Sequence, residues 1–184
     1  MKKESTIFPE VFVLTPDVFK DERGFFLESY SFKKYKAMGF KDQFVQDNHA
    51  KSQFNTVRGL HFSAYPGQVK LIRCINGRIW DVVVEIRPNS SNFKKWFGVE
   101  LSAENFLQIL IPVGFAHGYS VLSEYAEVEY KVSNYYDPKL EKEVFWNDPT
   151  INIDWKVENP IISNRDKNAP LLDDFLKEHP NPFK

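Results

Sequence analysis

Apolar residues along this chain come in short runs, alternating or continuous, cut by Pro, Gly and Asn at intervals of about ten residues. Runs of that length suit the strands of an all-β sandwich or barrel better than a helical bundle. The sharpest is Arg78–Ile86, where Trp80, Val82, Val84 and Ile86 fall on one face and Asp81, Val83 and Glu85 on the other. It follows Asn76-Gly77, a strong hairpin signal. Further strands are predicted at Val11–Leu14, Gly24–Ser29, Gln43–Asn48, Thr56–Phe62, Val69–Ile75, Phe97–Leu101, Phe106–Ile111 and Ala126–Val132, with loops such as Pro88-Asn89-Ser90-Ser91-Asn92 between them. Helical signals are confined to two short stretches. One is Phe32–Met38, with Ser31 as N-cap and Gly39 as stop; the other is Leu171–Glu178, closed by Pro180. The pattern predicts an all-β protein with short peripheral helices.

The chain has 184 residues, the size of one ordinary domain, so residues 1–184 are read as a single unit able to bury its own core. Its 17 Phe, 8 Tyr and 4 Trp recur in those short apolar segments. Lys and Arg total 24 against 25 Asp and Glu, which leaves no bulk attraction to nucleic acid or to acidic lipid. Any anion must therefore be bound locally. The single cysteine, Cys74, lies in an apolar run and can form no internal disulfide, which fits a reducing cytoplasm. No apolar stretch is long enough for a signal peptide or a membrane span, so a soluble, cytoplasmic protein is expected.

Chemistry enters with the histidines. Arg58-Gly59-Leu60-His61-Phe62 and Gly114-Phe115-Ala116-His117-Gly118-Tyr119 each set an imidazole among small and apolar residues. Arg58 and Lys70 flank the first in sequence, and Tyr130 and Asp166 follow later. Together these residue types have the parts for moving protons on an anionic substrate. Each alone also has a structural reading: a hydrogen-bonded core histidine, a strand aromatic, a turn aspartate, a strand-edge lysine.

Several longer motifs run through the chain in order. They are Asp21-Glu22-Arg23-Gly24-Phe25-Phe26-Leu27-Glu28, Phe44-Val45-Gln46-Asp47-Asn48, the His61 stretch, Gln68-Val69-Lys70-Leu71-Ile72-Arg73, Asp81-Val82-Val83-Val84-Glu85-Ile86-Arg87, Leu101-Ser102-Ala103-Glu104-Asn105, the His117 stretch, Tyr130-Lys131 and Trp146-Asn147-Asp148-Pro149. Over almost its whole length the chain resembles the nucleotide-sugar 3,5-epimerases typified by dTDP-4-dehydrorhamnose 3,5-epimerase. The resemblance implies a jelly-roll barrel of the cupin type, a homodimer, no metal and no organic cofactor. The implied substrate is a nucleoside-diphospho-4-keto-6-deoxy sugar, with dTDP-4-dehydro-6-deoxyglucose converted to dTDP-4-dehydrorhamnose. GDP- or CDP-linked sugars, heptoses, or inversion at one centre only remain alternatives.

A ketone at C4 makes the hydrogens at C3 and C5 acidic, so inversion needs a base on one face, an acid on the other and stabilisation of the enolate between them. By resemblance His61 is the base, Asp166 its carboxylate partner, Tyr130 the acid and Lys70 the cation near O4. His117 is matched to a sugar or diphosphate contact, and Arg23 and Arg58 to the diphosphate, where a guanidinium fork suits phosphate oxygens. Glu28, Gln46 and Asn48 match contacts to the nucleotide base, Tyr136 the aromatic that stacks on it, and Glu141 and Arg165 further polar contacts. Some positions depart from the family pattern. Ser63-Ala64 replaces a usual glutamine, Arg165 stands for a lysine, and Ala50 occupies a place where a small hydroxyl residue is common. Two rival readings fit these residues less well. A metal-dependent cupin needs a His-x-His pair, whereas His61 is followed by Phe62-Ser63 and His117 by Gly118-Tyr119. A non-catalytic sugar-nucleotide binder would lack His61 or Tyr130, and both are present.

Overall fold

Strands dominate the regular structure of the computed structural model, which describes residues 1–184. In chain order the strands are β1 (Lys2–Ser5), β2 (Phe12–Thr15), β3 (Val18–Asp21), β4 (Gly24–Leu27), β5 (Gln46–Gln53), β6 (Val57–Ser63), β7 (Lys70–Asn76), β8 (Arg78–Glu85), β9 (Trp96–Ser102), β10 (Gln108–Ile111), β11 (Phe115–Val121), β12 (Tyr125–Val132) and β13 (Glu141–Glu143). The helices are α1 (Phe32–Ala37), α2 (Asn164–Lys167) and α3 (Leu172–Glu178). A six-stranded sheet in the order β1-β2-β10-β7-β12-β5 faces a five-stranded sheet in the order β13-β6-β11-β8-β9. Every pairing within the sheets is antiparallel, and the crossed order is that of a jelly roll. The hairpin β3–β4 stands apart and pairs with neither sheet.

Three apolar layers hold this arrangement. Between the sheets lie Ile72, Val83, Leu101, Ile109, Phe115 and Val128. Behind the five-stranded sheet, Val82, Val84 and Ala116 meet the C-terminal segment through Ile153, Trp155 and Phe175. Behind the six-stranded sheet, Leu14, Leu71 and Leu110 pack on Tyr35 of α1. β8 is thus covered on both faces, which is why it reads as a nearly continuous valine run. Asp148 anchors the C-terminal cover, since its buried carboxylate accepts from Thr150 N, Thr150 Oγ1 and Leu172 N. No helix is long and apolar enough to cross a membrane.

Several sequence expectations shift. Asn76-Gly77 is a turn but not a hairpin: it carries the chain from β7 in one sheet to β8 in the other. Gly77 has φ +71°, and a Cβ there would lie 2.1 Å from Tyr125 O. The strand expected at Gln43–Asn48 lies at Gln46–Gln53, where seven of eight side chains escape full burial and apolar periodicity is therefore weak. Fully exposed β1, the short Glu-Lys-Glu of β13 and four-residue α2 had no apolar signal either. β11 was masked by Gly118 within it and Gly114 just before it. Ser31 precedes α1 but makes no side-chain cap bond.

Candidate active site

His61 and His117 meet because β6 and β11 are neighbours and their Cα positions pair across the ladder. The strands come unusually close there. A Cβ on Gly59, which has φ +135°, would sit 2.7 Å from Gly118 Cα, and one on Gly118 would sit 2.7 Å from Arg58 O. Only glycine at both positions permits this approach, and the register irregularity there places two β6 residues, Gly59 and Leu60, opposite Gly118 of β11.

Each imidazole rests on a buried carboxylate. His61 Nε2 lies 2.8 Å from Asp166 Oδ1, and Gly59 N donates to Asp166 Oδ2 at 3.4 Å. Asp166 is positioned by α2, whose N-cap Ser163 accepts from Asp166 N at 3.0 Å. Burial pushes the Asp166 carboxyl up, but the His61 hydrogen bond and charge, with the Gly59 amide, outweigh it and hold the group below the usual carboxylate range. An ionised Asp166 takes the Nε2 hydrogen and leaves Nδ1 as the basic lone pair. On the other side His117 Nε2 lies 2.8 Å from Asp81 Oδ2, and Asp81 is wholly buried.

Both histidines line a cavity of about 250 Å³ between the two sheets. Lys70 and Tyr130 line it from the opposite wall, on β7 and β12. Lys70 is only 8 % exposed and has no ion pair. Burial pushes its ammonium pKa down, while the Glu141 and Asp81 carboxylates push it back up. Burial likewise raises the Tyr130 phenol, and nearby Glu141 adds to the shift. The phenol is therefore a neutral O–H group, able to give a proton.

At the more exposed end, Arg58 Nε donates to Ser52 Oγ at 2.8 Å, and Arg165 pairs with Glu143. Gln46 Oε1 accepts from Tyr136 N at 3.0 Å, while Gln46 Nε2 donates to Asn48 Oδ1 at 2.9 Å. That pair ties the loop carrying Tyr136 to β5. Gln46, Asn48, Tyr136, Glu141 and Arg165 all border the same cavity. Eleven of the thirteen residues singled out from sequence thus converge, counting Asp166 through its contact with His61.

Arg23 and Glu28 do not. Arg23 lies at the turn of the β3–β4 hairpin with its side chain 85 % exposed and paired only to Asp21, and Glu28 pairs with Lys34 at 2.9 Å. Neither borders the cavity of its own chain. Polar lining or supporting groups that were missed in the sequence are Asp81, Tyr119 and Gln68. Asp81 had a visible signal, a carboxylate on the inward face of a valine strand; Tyr119 read as one more aromatic. No group of three or more His, Cys, Asp or Glu side chains is arranged to hold a metal ion.

A family model described as dTDP-4-dehydrorhamnose 3,5-epimerase matches residues 5–174. The dTDP-4-dehydrorhamnose 3,5-epimerase of Salmonella typhimurium is 51 % identical over 174 residues, covering 93 % of this chain and 95 % of its own. Among solved structures, the dTDP-6-deoxy-D-glucose-3,5-epimerase of Legionella pneumophila, in complex with dTDP-4-keto-L-rhamnose, superposes with a TM-score of 0.91 at 41 % identity, covering 94 % and 93 % of the two chains. The dTDP-4-dehydrorhamnose 3,5-epimerase of Bacillus anthracis, with TDP and PPi bound, gives a TM-score of 0.90 at 44 % identity, with 92 % and 98 % covered.

Proposed function

This chain belongs to the dTDP-4-dehydrorhamnose 3,5-epimerase family, and on that premise we propose that it converts dTDP-4-dehydro-6-deoxyglucose to dTDP-4-dehydrorhamnose by inverting C5 and C3, acting as one 184-residue domain. The carrying observation is that the His61–Asp166 dyad and the Tyr130 phenol approach one cavity from opposite sheets, with Lys70 beside them. His61 Nδ1 removes the hydrogen from the carbon next to the ketone. The electron pair moves onto O4, where the Lys70 ammonium favours the enolate. Tyr130 then delivers a proton to the opposite face of the same carbon, which inverts it. Proton transfer alone accomplishes the change, so no redox or organic cofactor enters the proposal. Arg58 and Arg165 hold the diphosphate, and Tyr136, Gln46 and Asn48 the base.

Incubation with dTDP-4-dehydro-6-deoxyglucose in deuterium oxide tests this, with label at C5 and C3 read separately by NMR. Both positions are expected to gain deuterium in the inverted product, with full activity after exhaustive chelation. Loss of activity on chelation, restored by a divalent metal, would contradict the proposal; so would label only with a GDP- or CDP-linked sugar.

A homodimer supplies the missing groups. The β3–β4 hairpin exposes Phe19, Phe25 and Phe26 around Arg23, an apolar surface left largely uncovered by its own chain. Docked on a second copy, the hairpin would carry Arg23 and Glu28 to the partner's cavity. Mixing Arg23→Ala with His61→Ala protein should then restore activity that neither variant has alone, because one site of each mixed dimer is intact. Failure to complement, in a mixture shown to exchange subunits, would place Arg23 and His61 in one site of one chain. The buried free thiol of Cys74 suits a reducing cytoplasm, where we place the protein.

A further inference from the structure

Alternation along β11 turns Phe115, His117, Tyr119 and Val121 toward the space between the sheets. The placement of three of the four is accounted for, since Phe115 and Val121 pack the core and His117 rests on Asp81. Tyr119 is 5 % exposed and borders the cavity, yet its hydroxyl has no hydrogen-bond partner. Ser52 Oγ, which accepts from Arg58 Nε at 2.8 Å, is the nearest hydroxyl and draws the phenol pKa slightly back down, but it lies outside hydrogen-bond geometry. A phenylalanine would fill the same volume without stranding a donor. Burial raises the phenol pKa, so the group stays a neutral O–H. A stranded donor at the wall of a substrate cavity is satisfied when the ligand brings an acceptor.

Its position narrows the acceptor. The hydroxyl lies at the Arg58 end of the cavity, where the diphosphate on C1 of the sugar would be held. His61, Lys70 and Tyr130 are engaged with C3, C5 and O4. The ring substituent next to C1 that remains is the oxygen on C2. We infer that Tyr119 is a further substrate-contacting residue, whose hydroxyl donates a hydrogen bond to the C2 oxygen of the hexose and so selects sugars that are oxygenated there. The identity of the sugar rests on the epimerase reading; the stranded hydroxyl does not.

The test is a binding cycle by calorimetry with two unreactive probes, dTDP-glucose and dTDP-2-deoxyglucose, on the parent protein and on Tyr119→Phe. A neutral hydrogen bond corresponds to about a 2–10-fold preference, so the parent should favour dTDP-glucose by that factor. Tyr119→Phe should lose the preference, bind dTDP-2-deoxyglucose as the parent does, and, free of ligand, melt no lower than the parent. An unchanged preference in Tyr119→Phe, no preference in the parent, or a lowered melting point with the preference intact would each overturn the inference, the last by showing a structural bond. Parent protein that binds both probes but exchanges no C5 or C3 hydrogen would sink the epimerase reading alone, and the binding cycle would still decide Tyr119. Parent protein that binds neither probe would sink both.

Discussion

His61→Ala should lower kcat/KM by about 10²–10⁴, the range for a general base in proton transfer, while Asp166→Asn should cost less. Asp166 does no chemistry on the substrate: it accepts the Nε2 hydrogen at 2.8 Å and leaves Nδ1 basic and oriented. An asparagine there offers either an amide donor or a weaker acceptor, so the imidazole remains but loses its fixed tautomer. The double variant should be little worse than His61→Ala, because partners that act as a unit are not additive. Steady-state kinetics on the three proteins checks this. Losses that simply multiply in the double variant would show that the two groups act separately, against the contact between them.

Lys70→Met should carry the next largest loss, about 10²–10³ in kcat, the range for removing one group aimed at a developing oxyanion. Methionine keeps most of the buried stem and removes only the charge. The ammonium is free of ion pairs and faces the cavity; burial lowers its pKa, and Glu141 and Asp81 offset that only in part. Its attraction grows as negative charge gathers on O4, so the effect belongs mainly to kcat, with KM changing little. A variant with parental kcat and a raised KM would make Lys70 a ground-state contact instead.

The all-β class was legible because a strand covered on both faces, such as β8 with Val82-Val83-Val84, sets apolar residues on both of them. Edge strands carry no such demand: β1, β5 and β13 have mostly polar side chains, exposed or half-buried, and left little trace. The partition of strands between sheets was not legible, since Asn76-Gly77 reads the same whether it closes a hairpin or crosses from one sheet to the other. Most of the candidate site followed from the run of colinear motifs, because each residue taken alone also has a structural reading. Arg23 and Glu28 were legible as residue types but not as members of a hairpin outside their own chain's cavity. Tyr119 went unremarked, since only burial without a partner separates its hydroxyl from an ordinary core tyrosine.

Stereochemistry at C5 in Tyr130→Phe, read by NMR in deuterium oxide, tests most directly whether acid and base work from opposite walls of one cavity. The substitution leaves ring packing intact and removes only the hydroxyl. If Tyr130 is the acid, the variant still exchanges the C5 hydrogen through His61 and returns deuterium to the face it came from, giving labelled sugar of unchanged configuration. Inversion at the parental rate would contradict the account and require a different acid in the cavity.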